Sequence, residues 1–404
     1  MIARDTSADR HAWIVAAAAA TLAAVTMGQR SALGLFASPL NSATGLGLVA
    51  ISFAMALGQI VWGVAQPLAV TLAGRYGPTR VVSGGAIMLA AATALVPFGH
   101  SVIALAAALS LGAIAGAAVG GNAMLLGVVS EHAAPVRRGL MIGIVSAGGS
   151  VGQLVLAPVM QALIALSGWA NALYATAALS LVALPLARLL EAPARRDNAL
   201  QASGVRPAPA PPLADALRSK EFWLVSGGFC VCGFHVAFLL AHMPGVIDLC
   251  GLPSRLSGIW IGIVGVCNVA GSLASGLALQ RVPMKWMLAA LYAARAVGVA
   301  WFVAAPKTEA TLLVFALWMG ATYMATLPPT SALIGKLFGV RRLAPLLGVT
   351  MLVHQAGAGL GVWLGGVAMA QTGSYDALWA IDAVLAVVAA LIHLPLRESS
   401  LSPT

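Results

Sequence analysis

The sequence predicts an all-α polytopic membrane protein with twelve transmembrane helices in two related six-helix halves. The first observation is composition: 60% of the 404 residues are hydrophobic and only 8% are charged, whereas soluble domains carry about 25% charged residues. The second is a series of apolar runs of about 20 residues, each long enough to cross a bilayer. The third is the placement of lysine and arginine, which recur on every second loop.

Twelve apolar runs can be counted along the chain. The predicted spans are 12–36, 48–72, 80–99, 102–129, 139–166, 170–190, 222–244, 257–280, 285–305, 311–336, 343–371 and 376–396. One set of loops, together with both termini, holds 18 lysines and arginines, and the opposite set holds only Arg255 and Lys307. The positive-inside rule therefore predicts that both termini and the central loop are cytoplasmic. Basic residues spread so thinly over short loops form no basic domain, so nucleic acid is not an expected partner.

A polar, proline-rich stretch at 191–220 predicts a cytoplasmic linker between two halves, 1–190 and 221–404. The halves also share sequence patterns. APVRRGLMIGIVSAGGSVGQ leads into the fifth span, and FGVRRLAPLLGVTMLVHQAGAGLG leads into the eleventh. Parallel repeats of this kind place a substrate site between the halves near the middle of the membrane.

Arg30, in MGQRSALGLFASPL, lies deep in the first predicted span. An arginine at a helix centre costs roughly 2.5–3.5 kcal/mol on insertion scales, so it normally faces a cavity or a partner charge. No acidic residue lies inside the first six spans. This favours an anion-binding role, because a guanidinium binds a carboxylate through two hydrogen bonds. The alternative is a structural salt bridge to another helix.

Arg295 and Asp382 lie inside the ninth and twelfth spans. They are predicted to form a buried structural ion pair, and the alternative is that Asp382 carries a coupling proton. His354 and Gln355 lie together in the eleventh span, where His354 can bind substrate, carry a proton or hydrogen-bond a neighbouring helix.

Other polar residues of the spans are further candidates. Asn122, Asn268 and Tyr323 can bind substrate or join helices, and for Gln59, Gln153 and His235 the structural alternative is favoured. No metal site or cofactor is predicted, because the four cysteines lack zinc spacing and the glycine-rich runs lack the lysine of a phosphate loop.

The loop LAGRYGPTR resembles the signature GxxxDRxGxR that follows the second span in the major facilitator superfamily. Arg75, Gly77 and Arg80 match a motif that acts in gating, and Gly74 replaces its aspartate. The resemblance implies the major facilitator fold and transport by alternating access. Within the superfamily, GQRSALGLF…PL and GVCNVAGS are similar to the monocarboxylate and oxalate:formate transporter branch. That branch implies a substrate contact at Asn268 and a basic residue at Arg30, but Ser272 stands where it usually has an arginine.

The sequence therefore predicts a transporter, not an enzyme, that moves a small organic anion, a monocarboxylate, by proton symport or anion exchange. Arg30 would bind the carboxylate, and Asn122, Asn268, Tyr323, His354 and Gln355 would surround the rest. The expected setting is the bacterial inner membrane, as a multi-pass monomer in the lipid bilayer. The alternative is multidrug or metabolite efflux by proton antiport, which an acidic residue in the cavity would favour; spans one, four, seven and ten contain none.

Overall fold

The computed structural model describes residues 6–134, 137–191 and 213–398, and no strand occurs in these ranges. Twelve of its helices are long and apolar enough to cross a membrane. They are α1 (Arg10–Thr44), α2 (Leu48–Tyr76), α3 (Pro78–Phe98), α4 (Val102–His132), α5 (Leu140–Ser167), α6 (Trp169–Leu190), α7 (Lys220–Leu249), α8 (Arg255–Ala278), α9 (Met284–Ala304), α10 (Glu309–Phe338), α11 (Arg342–Thr372) and α12 (Asp376–His393).

All twelve predicted spans are confirmed as helices. The largest difference is at α1, which continues to Thr44 through a short 3-10 turn at Leu33–Phe36. Most of the predicted linker, residues 192–212, lies outside the described part of the chain, so its character and the exact limits of the halves stay predictions.

Helix packing repeats between the two halves. In the first half α1 packs on α5, α2 on α4 and α3 on α6, and in the second half α7 packs on α11, α8 on α10 and α9 on α12. The halves meet through α2 with α11 and through α8 with α5. These two pairs are equivalent when each helix of the first half is matched to its counterpart in the second. The related sequences thus produce a pseudo-twofold arrangement.

Glycine brings the central helices of each half into contact. A Cβ atom on Gly152 of α5 would overlap the backbone of Ala24 in α1, and one on Gly357 of α11 would overlap the backbone of Cys230 in α7. Gly361, one turn further along α11, has the same relation to α7. Lipid tails are as apolar as side chains, so helices in a membrane associate through such close packing more than through the hydrophobic effect.

Two equivalent helices, α4 and α10, are interrupted inside the membrane. The helical part of α4 ends at Gly120, and Gly121 is extended before the helix resumes at Asn122. In α10 the helix ends at Thr322 and resumes at Leu327. A break within the membrane frees backbone polar groups, which must then be satisfied by neighbouring side chains or helices.

The halves are closely packed on the side of the membrane opposite the basic loops. Gly366 of α11 contacts Ser52 at the start of α2, and Gly258 at the start of α8 contacts Pro158 in the second part of α5. The basic residues Arg75 and Arg281 lie at the other ends of α2 and α8.

The α1–α5 contact can be tested with Gly152→Ala. Because the new methyl group would overlap the α1 backbone, we expect the free energy of unfolding to fall by about 1–3 kcal/mol. The purified protein should also melt at a lower temperature. Gly127→Ala in α4 is the matched control, because no atom outside its own helix lies within 4 Å of the new Cβ. Equal melting temperatures for the two variants would contradict the close packing.

Candidate functional site

Arg30 lies near the end of the regular part of α1, just before its 3-10 turn. Its guanidinium donates hydrogen bonds to Oε1 of Gln59 in α2 and, at 3.3 Å, to Oε1 of Gln355 in α11. It also lies over the ring of Trp62, 4.6 Å from the ring centroid. No carboxylate among the described residues forms a salt bridge with it. The salt-bridge alternative for Arg30 is therefore wrong: amide oxygens and an aromatic face stabilise the cation.

A cavity of about 100 Å³ lies inside the first half beside this guanidinium. Arg30 is its single charged lining residue among those that the structure describes. Side chains from α1 to α6 form the rest of the wall, and most are apolar. The larger ones are Leu33, Phe36, Leu40, Met55, Trp62, Leu89, Val96, Leu109, Met160 and Leu173, with Thr26, Gln29, Gln59, Thr93 and Thr176 as polar groups.

One of the predicted binding residues, Gln355, lies next to Arg30. Gln355 is buried, bonded to the guanidinium, and packed against α2 where Gly63 leaves room for it. Gln355 belongs to the second half and Arg30 to the first, so this polar contact spans the interface. Tyr323 is buried at the break of α10, and a substrate contact there stays a prediction.

Asn268 makes three hydrogen bonds near the break of α10. Its Nδ2 donates to Ser150 Oγ in α5 at 3.1 Å. Its Oδ1 accepts from the backbone N–H of Met324 at 3.1 Å and from Ser272 Oγ at 3.3 Å. These bonds cap the freed backbone and join the halves, as the helix-joining alternative predicts. Ser272, where the branch usually has arginine, is part of the same network.

His354 and Asn122 lie apart from the Arg30 cluster. The imidazole of His354 packs on Phe229 of α7, with 4.6 Å between ring centroids, and its two nitrogens have no hydrogen-bond partner in the described part of the chain. Asn122 follows the break of α4, is exposed, and does not line the cavity. Substrate contacts at these two residues stay predictions.

The comparisons with known proteins agree with this fold. The sequence profile of the Major Facilitator Superfamily matches residues 19–305. The chain belongs to the major facilitator superfamily. It is 26% identical to monocarboxylate transporter 11 of Mus musculus, over 96% of this chain and 88% of the relative. It is 24% identical to the oxalate:formate antiporter of Oxalobacter formigenes, over 63% and 60% of the two chains.

Solved structures of the superfamily share its architecture. The crystal structure of a bacterial homologue of the human lysosomal transporter Spinster, in an inward-facing and occupied conformation, superposes with a TM-score of 0.75. The match covers 94% of this chain and 95% of the other at 14% identity. This likeness shows the major facilitator fold. Membership of the superfamily makes the protein a transporter and not an enzyme.

The superfamily's gating signature forms a tight turn between α2 and α3. Gly77 has a φ of +86°, a conformation that an L side chain adopts only with strain, which explains the glycine. Arg75 lies over the ring of its neighbour Tyr76, at 5.3 Å, and Arg80 is exposed. A gating role for Arg75, Gly77 and Arg80 stays a prediction.

The predicted ion pair between Arg295 and Asp382 is wrong. Asp382 Oδ2 lies 2.6 Å from His235 Nδ1, and both residues are fully buried. Arg295 instead donates to the backbone carbonyls of Thr322 and Tyr323, which the break of α10 leaves without helical partners. The sequence showed two opposite charges in neighbouring spans. It could not show that the backbone carbonyls of a broken helix would accept hydrogen bonds from the guanidinium.

Two contact residues were missed or ranked too low in the sequence. Gln59 was visible as a polar group in an apolar span, although its structural alternative was favoured. Trp62 carried no signal, because an apolar residue in a transmembrane helix looks like filler. Only the contact with Arg30 distinguishes it.

The His235–Asp382 pair predicts a distinctive pattern of stabilities. Asp382→Leu should lower the free energy of unfolding by about 3–5 kcal/mol, because it leaves His235 buried without its partner. The double variant His235→Leu/Asp382→Leu should recover much of this loss, since neither member of the pair is then left buried without the other. Melting temperatures of the two single variants and the double variant measure the coupling. Losses that simply add would contradict a direct pair.

Proposed function

We propose that the protein is a secondary active transporter of a small organic anion, a monocarboxylate, that works by alternating access with proton symport or anion exchange. The observation that supports this most directly is the environment of Arg30. An arginine inside a membrane is expensive, and here neutral amides and a tryptophan ring surround it rather than a carboxylate. An anion from outside is the partner that this cation lacks.

The geometry suggests how a carboxylate would bind. The amide oxygens of Gln59 and Gln355 occupy hydrogen-bonding positions of the guanidinium in this structure. A carboxylate offers two charged acceptors in place of neutral ones and would bind the planar guanidinium through two parallel bonds. Because Gln355 belongs to the second half, its release would link substrate binding to movement between the halves.

The composition of the cavity favours a single negative charge on the substrate. Arg30 is the one charged group of the lining that the structure describes, so a second carboxylate there would be desolvated without a counter-charge. The lining contains no acidic residue, which argues against the efflux alternative. Two relatives are named for monocarboxylates and for oxalate and formate, and these names support an organic-anion substrate.

The coupling proton has two candidate carriers, both in the second half. Asp382 is buried with His235, and the Oδ1 atom of Asp382 has no partner among the described residues. His354 lies one position before Gln355, with its ring nitrogens unpartnered in that same part of the chain. Protonation of His354 would change the charge beside Gln355, and protonation of Asp382 would change the charge of its buried pair with His235.

We further propose that the chain is a multi-pass monomer of the bacterial inner membrane, with both termini in the cytoplasm. The distribution of lysine and arginine over the loops supports this orientation.

The proposal predicts that Arg30→Gln loses uptake. We expect at least about tenfold slower uptake of lactate and pyruvate into proteoliposomes, because losing a charge-assisted bond of about 1.5–3 kcal/mol reduces affinity by this factor or more. Arg281→Gln, which removes an exposed loop charge, is the matched control. Arms with and without an imposed pH gradient test proton coupling. Normal uptake of every acid by Arg30→Gln would refute the proposed role of Arg30.

A further inference from the structure

We propose that the carbon tail of the transported acid lies in the cavity inside the first half, and that Gly112 and Met55 limit the tail length accepted. The inference rests on the proposed function, because it assumes that Arg30 holds the carboxylate. It goes further by naming the substrate class as monocarboxylates with a short apolar tail. It also places the wall that limits the length of the tail within one half of the protein rather than in the cleft between the halves.

Arg30 faces both the cavity of the first half and the interface between the halves. The residue lines the cavity of the first half and also reaches Gln355 across the interface. Gln59, the other acceptor of the guanidinium, also lines the cavity, so a carboxylate that takes the place of Gln59 would face this space. The groups that line it beyond Arg30 are mainly apolar, and an apolar tail loses no hydrogen bonds on entering such a space.

Small residues on α4 create the space. Gly116 allows the ring of Trp62 to approach α4, because a Cβ atom at this position would be 2.5 Å from that ring. One turn away, Gly112 lines the cavity, and a Cβ there would meet only Ala92, at 3.8 Å, which is an ordinary contact. Gly112 thus leaves a volume that a larger side chain can fill without displacing the backbone.

The size of the cavity bounds the tail. A volume of about 100 Å³ is smaller than the roughly 150 Å³ of an engineered apolar cavity that binds benzene, so it holds a few heavy atoms. Acids with a few tail carbons should therefore fit, and longer tails should meet the wall. Met55 forms part of that wall from α2, so shortening its side chain should extend the range.

The test measures uptake of straight-chain monocarboxylates from acetate to octanoate into proteoliposomes. Gly112→Val should reduce uptake of the longest acids that the wild type transports by about tenfold or more and leave acetate within about twofold, the scale of discrimination per methylene in an apolar pocket. Met55→Ala should shift the preference in the opposite direction. Gly127→Val is the control, because this α4 glycine is outside the cavity and has no neighbouring atom within 4 Å.

The outcomes separate the two claims. If the wild type transports acids and Arg30→Gln abolishes uptake, but Gly112→Val and Met55→Ala change every acid equally or none, the tail is elsewhere and this inference is overturned. If the wild type neither binds nor transports any acid, the proposed function fails and the inference fails with it. Opposite shifts in chain-length preference from the two variants would support the inference even if one of them is less stable.

Discussion

The absence of water from the bilayer core is the constraint on which the rest of this structure depends. Every backbone polar group at that depth must find its partner inside the protein. Continuous helices satisfy this requirement for most of the chain. The two interrupted helices, α4 and α10, do not, and the break in α10 draws in Arg295 and Asn268 to bind the backbone groups that it frees.

This constraint divides the intramembrane charges into two groups. Arg295 donates from Nη2 to two backbone carbonyls of the broken α10, and Asp382 is paired through Oδ2 with His235. Arg30 has only neutral amide oxygens and an aromatic face. The cost of burying its charge is therefore met weakly in this structure, and a carboxylate would meet it better. Neutral oxygens hold both arginines, and the difference is that Arg30 lines the cavity of the first half whereas Arg295 does not.

The interface between the halves is held by close packing and by few polar bonds. Glycines let α2 approach α11 and α5 approach α8. The side-chain hydrogen bonds described between the halves are those of Arg30 in α1 with Gln355 in α11 and of Asn268 in α8 with Ser150 in α5. The first of these bonds involves Arg30, the residue proposed to bind substrate. The same guanidinium would therefore take part in substrate binding and in the contact between the halves.

The sequence by itself determined the number of helices, the loops that carry basic residues and the presence of a costly cation at Arg30. It could do so because span length, charge and hydropathy act locally and need no knowledge of neighbours. Only the tertiary structure decided that Gln59, Trp62 and Gln355 surround this cation, that His235 rather than Arg295 binds Asp382, and that Asn268 joins helices. These outcomes depend on how helices far apart in the chain face one another, and on a break in α10 that hydropathy does not reveal.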